Sequence, residues 1–341
     1  MSFCGLNTRS WAARLPRVTK RPDAEDDNDI LTDHRSIHDK RKRTFKKQEP
    51  PFISERCAHG GRCCRRCFRF RRSEPGGGKR LRLTKGDAAI LKFLAAAELI
   101  EADLWQQYAE LGGLTPGQLP VETAPFMPMN GYQAAFMNLD SDGPRYISSN
   151  NLDEQSHAQF LNAYLALRGQ TPVNLDEFRT LPSSKATGAQ QIGRLTNLLQ
   201  LSVDTSWYTR YHSPTNPDAG AIFAQALPAL TSGQFQTIPR TDADFTPPAR
   251  AQALANTAAF HFGFIEQGGL SLYATLAQQV SDPEVLRVVL SIGGDEIAHF
   301  LEWVDFAGNG VQPPVAPVTD PVSGLVFPTS TLPLTRWCRP T

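Results

Sequence analysis

Apolar residues recur at helical spacing in four long stretches of the chain, and no stretch alternates strongly enough to predict a strand. In the first stretch, an apolar stripe runs from Ile90 through Leu94 to Trp105. Thr84 and Asp282 stand where helix N-caps are expected, each just before a periodic segment. We predict four helices, at about 84–111, 148–168, 247–280 and 283–307.

The segments around these helices are rich in proline, glycine and polar residues. A Pro/Gly/Met-rich connection leads to the second helix, and a long insertion follows it. Within that insertion, residues 187–208 are predicted to form one further helix. Residues 1–80 lack apolar periodicity and predict a disordered leader, whereas 311–341 predict an irregular, Pro-rich tail. The chain is therefore expected to be all-α, with one helical domain over residues 81–310 and long insertions between its helices.

Charge is distributed unevenly along the 341 residues. Residues 1–85 hold 23 Lys and Arg against 10 acidic residues, and residues 86–341 hold 12 against 24. The basic leader could contact nucleic acid or an anionic membrane surface, but it lacks interleaved aromatic residues and a reading helix. We interpret it as a solvated tail with no specific nucleic-acid partner. No apolar run is long enough to span a membrane or to serve as a signal peptide, so we expect a soluble chain, cytoplasmic or exported.

Five of the six cysteines lie in the leader, and residues 68–337 contain none. The fold is thus not expected to depend on disulfides. A small zinc site is conceivable in the segment CAHGGRCCRRC, but its spacing matches no standard zinc knuckle. We interpret the segment as part of the leader. The ligands considered were Cys57, His59, Cys63, Cys64 and Cys67.

The motif Asp-Glu-x-x-His occurs twice, in LDEQSHAQFL (152–161) and in GDEIAHFLEW (294–303). In each copy the glutamate and the histidine are three residues apart, so they share one face of a helix. The first and third predicted helices each add a glutamate among apolar or small neighbours. The resulting set is Glu98, Glu154, His157, Glu266, Glu296 and His299.

Four carboxylates in one core require compensating positive charge, because an isolated buried carboxylate costs several kcal/mol. Two divalent metal ions would balance all four beside neutral histidines. One glutamate from each of two helices, with Glu-x-x-His from each of two others, is the ligand set of di-iron and di-manganese bundles. On the first helix Glu101 is an alternative to Glu98. We favour Glu98, since it follows the small residues 95–97.

By this motif order the chain resembles the ferritin-like superfamily, and within it the family that includes the desiccation-related proteins. The resemblance covers about 84–308 and implies a ferritin-like four-helix bundle. It also implies roles for the ligands. Glu98 and Glu266 would be terminal ligands and Glu154 and Glu296 bridging ligands, while His157 and His299 would each cap one metal.

The resemblance implies a di-metal protein, with iron preferred and manganese possible, that reacts with oxygen or peroxide in stress protection. An alternative is a non-enzymatic stress or structural protein that keeps the fold without a functional metal site. A storage cage ranks last, because the insertions would crowd the surface that such a shell needs. A homodimer through bundle faces is the assembly considered.

Overall fold

The computed structural model describes residues 82–115, 127–211, 223–307 and 316–328. The predicted leader, its cysteine segment and the outer parts of the tail lie outside these residues. None of the described helices is long and apolar enough to cross a membrane. In chain order the elements are α1 (Lys85–Gly112), α2 (Gly131–Leu139), α3 (Gly143–Leu167), α4 (Ser206–Tyr211), α5 (Pro228–Ser232), α6 (Pro248–Ala277), α7 (Pro283–Phe306), β1 (Val318–Thr319) and β2 (Val326–Phe327).

The caps expected for two of the long helices are present. The Thr84 side chain accepts a hydrogen bond from the backbone N–H of Asp87 at the start of α1. Asp282 accepts one from the backbone N–H of Glu284 at the start of α7. Each bond satisfies a backbone donor that the first helical turn leaves free. The sequence signals thus place both helix starts correctly.

The four long helices form the bundle that the sequence predicts, with α1 packed along α3 and α6 along α7. Two apolar clusters fill it. One contains Leu91, Leu94 and Val289; the other is aromatic and contains Trp105 and Trp303. On α1 and α7 the predicted ligand positions lie between these two sets of residues. A polar layer therefore crosses the bundle between two apolar cores, and the all-α fold is confirmed.

The connection between α1 and α3 is more helical than the sequence predicts. Helix α2 lies within it, capped by Asn130, and buries Tyr132 and Phe136 against the aromatic core. Helix α3 begins at Gly143, about five residues before the predicted start, with Pro144 in its first turn. The early turns carry few buried apolar side chains, so hydrophobic periodicity could not reveal them.

The helix predicted at about 187–208 is wrong: only Ser206–Tyr211 is helical there. The segment instead pairs Leu181 with Arg194 in an isolated bridge and lies along α1. Buried Asp103 of α1 accepts hydrogen bonds from the backbone N–H groups of residues 195 and 196. Arg194 is 1% exposed and pairs with Glu110 of α1. These tertiary bonds replace the hydrogen bonds that a helix would have made internally.

The predicted tail is not wholly irregular, because β1 and β2 form a two-stranded antiparallel hairpin. Asp320 in the hairpin is 3% exposed and pairs with buried Arg250 of α6. Arg250 also pairs with Asp244, just before α6 begins. The hairpin is thus held to α6 by a buried ion pair, which two-residue strands alone could not predict.

Candidate metal centre

Each of the four bundle helices contributes carboxylates to the polar layer. Glu98 lies on α1, Glu154 on α3, Glu266 on α6 and Glu296 on α7, and all four are 0% exposed. The two histidines of the repeated motif lie one turn after their glutamates and are only 6–7% exposed. The structure therefore brings together all six residues that the motif pattern singles out.

A first group of ligand atoms surrounds His157. Its Nδ1 lies 3.1 Å from Glu154 Oε2, 3.5 Å from Glu98 Oε2 and 3.7 Å from Glu296 Oε1. One atom from each of the four residues can be chosen within 4.8 Å of the others. Three carboxylates and one imidazole, drawn from three helices, thus converge on one small volume.

A second group surrounds His299. Its Nδ1 lies 3.0 Å from Glu154 Oε1 and 3.4 Å from Glu266 Oε2. Glu154 therefore faces one histidine with each of its two oxygens. A carboxylate that is shared in this way between two groups has the placement of a bridging ligand.

Glu101 lies one helical turn after Glu98 and joins a third group with Glu266 and Glu296. Glu98 instead belongs to the group around His157. The two α1 glutamates, which the sequence offers as alternatives, both face the polar layer but lie in different groups. The centre thus collects five carboxylates and two imidazoles.

Burial and mutual repulsion shift the titration of these groups. Burial raises the pKa of Glu98 and Glu266 to about 7, and burial together with the charge of Glu154 raises that of Glu296 to about 10. Burial would also raise the pKa of Glu154, but contacts with His157 and His299 outweigh it and lower this pKa to about 2.

The pKa values of the two motif histidines shift in the opposite direction from those of buried imidazoles in apolar surroundings. Burial alone would lower their pKa, but the adjacent carboxylates raise it to about 11 for His157 and about 12 for His299. By contrast, burial lowers the pKa of His261 to about 3. A 2.6 Å hydrogen bond joins His261 Nδ1 to the Tyr108 hydroxyl, so His261 is a hydrogen-bonded core residue. The two motif histidines therefore sit in a strongly negative field.

The donor atoms of the layer fit bound cations. Within the described residues, both oxygens of Glu266 and both of Glu296 are buried without a hydrogen bond, and so is one oxygen of Glu101. A histidine Nδ1 lies 3.4 Å from one oxygen of Glu266 and another lies 3.7 Å from one oxygen of Glu296. Two imidazoles cannot satisfy five buried carboxyl groups, so the remaining unpaired oxygens point to a missing positive partner. Oxygen-rich sets with imidazole suit iron and manganese better than thiolate-seeking metals.

A cleft of about 460 Å³ opens from the outer surface onto the two histidines. In it, His299 Nε2 lies 3.4 Å from Asp153 Oδ2, and His157 Nε2 lies 3.5 Å from Asp295 Oδ2. Each aspartate thus faces the histidine of the other motif. A carboxylate in this position can accept a hydrogen bond from Nε2–H, which leaves the Nδ1 lone pair directed toward the centre. We call this space the outer cleft; it is lined by Asn150, Asp153, His157, Asp295, His299 and Glu302.

Three supporting features were not assigned from the sequence. Tyr273 of α6 is 2% exposed and donates a hydrogen bond to Glu98 Oε1. The aspartates of the outer cleft were quoted in the motif but given no role. In both copies of the motif an aspartate stands directly before the glutamate, and this repetition could have drawn attention to them. For Tyr273 the sequence gives no such signal, because only packing of α6 against α1 brings it to Glu98.

One glycine of α6 makes room for the centre. A Cβ at Gly269 would overlap Glu296 Oε2, whereas a Cβ at the neighbouring Gly268 would meet nothing within 4 Å. On α7, a Cβ at Gly293 would lie 2.9 Å from the Tyr273 Cβ. Gly269 and Gly293 therefore permit the close approach of α6 and α7 beside the ligands.

Comparisons with known proteins agree with this architecture. A family model described as a ferritin-like domain matches residues 86–303, well over half of the chain. The match spans α1 to α7 and includes all seven residues of the centre. Searches of curated proteins and of solved structures gave no match to this chain.

Proposed function

Because the chain belongs to the ferritin-like domain family, we propose that it is a two-metal carboxylate protein that oxidises Fe(II) or reduces oxygen or peroxide. One observation carries the proposal: the polar layer holds more buried carboxylate oxygens without hydrogen-bond partners than its two histidines can neutralise. Such a set is costly in a core that binds no cation. The setting we propose, protection against oxidative or desiccation stress, follows from the resemblance to desiccation-related proteins.

The two histidines define two metal positions in this proposal. His157 and Glu98 would hold one ion, and His299 and Glu266 would hold the other. Glu154 has one oxygen beside each histidine, so it would be available to both ions. The outward Nε2 atoms lie 3.4 and 3.5 Å from the aspartates of the outer cleft, which would keep both rings oriented. Glu296 also lies close to both groups.

Bound ions would supply one-electron chemistry, by which two electrons and two protons convert one H₂O₂ to two waters. The protein supplies the ligands, and its apolar clusters on both sides exclude water from the layer. The outer cleft connects the layer to solvent, so substrates and protons can reach the histidine side. Its acidic, polar lining suits small neutral molecules or cations and disfavours apolar organic substrates.

Iron is the metal we propose first, with manganese as the alternative, because the mixed carboxylate and imidazole set accommodates both. Hard oxygen ligands stabilise the higher oxidation state of either metal. The described residues contain no cysteine, so none of them offers a thiolate ligand to the layer. Copper(I) and thiolate-bound zinc are accordingly poor candidates.

The test is metal content by mass spectrometry on the full chain, loaded anaerobically with Fe(II) and, in parallel, with Mn(II). We expect about two ions per chain in the unaltered protein. The Glu154→Gln/Glu296→Gln double variant should lose both. Glu177→Gln, a change of the same kind at an exposed position, should keep them.

Oxygen or peroxide consumption by the loaded chain then tests the reaction. If folded chain retains no metal under either loading, the two-metal proposal fails. The protein would then be a non-enzymatic ferritin-like protein whose Glu–His contacts serve the structure alone.

A further inference from the structure

Glu101 has the surroundings of a ligand rather than those of a structural carboxylate. It follows Glu98 by one turn of α1, so both side chains project from one face of the helix. Its Oε1 is buried and has no hydrogen-bond partner among the described residues. Ligand atoms of Glu101, Glu266 and Glu296 can be chosen that all lie within 4.8 Å of one another.

The neighbours of Glu101 cannot satisfy it. Glu266 and Glu296 are both 0% exposed, and none of their four oxygens accepts a hydrogen bond, although a histidine Nδ1 lies 3.4 Å from one oxygen of Glu266. Acceptors cannot donate to one another when ionised, and like charges at this separation repel. Glu98 differs, because the Tyr273 hydroxyl already binds its Oε1. A third carboxylate in this position is therefore a liability unless a cation lies between them.

We infer that Glu101 is a metal ligand in its own right, additional to Glu98, and that it serves the ion held by His299 and Glu266. This inference rests on the proposed two-metal function. Glu98, with Oε1 held by tyrosine and Oε2 turned to His157, serves the other ion. The centre then has five carboxylates instead of four.

A fifth carboxylate makes the two metal positions unequal. Two divalent ions beside neutral histidines would leave one carboxylate charge uncompensated, whereas one divalent and one trivalent ion balance all five. The extra charge lies on the side of Glu266, so it favours oxidation of the ion in that position. The substrate class follows from this: the centre is suited to an oxidant that accepts electrons, such as oxygen or peroxide, more than to metal-assisted hydrolysis.

The test compares Glu101→Gln with Glu98→Gln in the full chain, with Glu177→Gln as the matched control. Metal-stripped protein is titrated with Mn(II) by calorimetry, and its melting temperature is recorded without metal. Glu101→Gln should weaken one of the two binding events by at least the roughly 10- to 100-fold that loss of an outer-shell partner costs. Glu98→Gln should weaken binding as well. Without metal, Glu101→Gln should melt at or above the temperature of the unaltered chain, because the amide keeps the size of the side chain and cannot add a negative charge to the layer.

The outcomes separate this inference from the proposed function. If the unaltered chain binds two ions and Glu101→Gln binds both equally well, Glu101 is not a ligand and only the inference fails. If Glu98→Gln has no effect, Glu101 replaces Glu98 and the claim of an additional ligand fails. A lower melting temperature of metal-free Glu101→Gln with unchanged affinity would assign a structural role. If the unaltered chain binds no metal, both proposals fall.

Discussion

The metal-free chain should lose stability as pH rises from about 5 to about 7, the reverse of ordinary acid denaturation. Glu98 and Glu266 have pKa values near 7 in the folded chain, because burial disfavours their charged forms. In the unfolded chain both return to the usual value of about 4.5. Between these values the folded chain holds protons that the unfolded chain has released.

The sign and size follow from proton linkage. A raised carboxyl pKa contributes stability that is present below the unfolded value and is lost as pH rises through the folded value. Each retained proton lowers the free energy of unfolding by about 1.4 kcal/mol per pH unit. Over two pH units one such proton changes stability by about 3 kcal/mol, and repulsion among the groups makes the total less than additive.

The assay is urea unfolding of metal-stripped full chain at pH 5, 6 and 7, at constant ionic strength. The Glu98→Gln/Glu266→Gln variant should make the profile less steep, and Glu177→Gln should not change it. The slope that remains belongs to Glu296, whose raised pKa of about 10 keeps its proton throughout this range. In metal-loaded protein the profile should reverse, because cations bind the deprotonated ligands and gain affinity as pH rises. Stability of the metal-free chain that is constant or increases from pH 5 to 7 would refute the electrostatic account of the layer.

Three substitutions and one matched control test the surroundings of the centre. Gly269→Ala should displace the carboxylate of Glu296, and calorimetry should then show weaker Mn(II) binding. The control Gly268→Ala should bind Mn(II) normally and stabilise its helix by about 0.5–1 kcal/mol. Equal affinities of the two variants would contradict the packing argument. Tyr273→Phe removes the hydroxyl that donates a hydrogen bond to a buried carboxylate of α1. The free energy of unfolding of the metal-free chain, measured with urea, should fall by about 1–3 kcal/mol. An unchanged unfolding midpoint would argue against that bond. Asp153→Asn removes the carboxylate beside a histidine Nε2 and should weaken metal binding about 10- to 100-fold, and unaltered affinity would show that the ring needs no such support.

Local signals were sufficient for the long helices and insufficient for the segments between them. Thr84 and Asp282 are caps that act within one turn, so the sequence reveals them directly. The insertion after α3 has apolar residues at helical spacing, yet residues 187–205 fold into turns and irregular structure. Their conformation depends on Asp103, which accepts hydrogen bonds from backbone N–H groups 92 and 93 residues later, and on Arg194, which pairs with Glu110. No local pattern encodes contacts at such separations.

The six side chains that converge in the polar layer were predictable because the motif repeats. A glutamate and a histidine three residues apart must share a helix face, and two such pairs in a four-helix pattern converge by topology. The motif could not show whether Glu98 or Glu101 of α1 belongs to the centre. Both lie on one face, and only the positions of Tyr273 and Glu266 on α6 distinguish their surroundings.

The central claim is that the polar layer binds two metal ions per chain. Native mass spectrometry of the metal-stripped full chain, titrated anaerobically with Mn(II), counts bound ions directly. The account predicts that species with one and then two ions replace the metal-free chain, and that higher species do not accumulate. A folded chain that remains metal-free throughout the titration would contradict it.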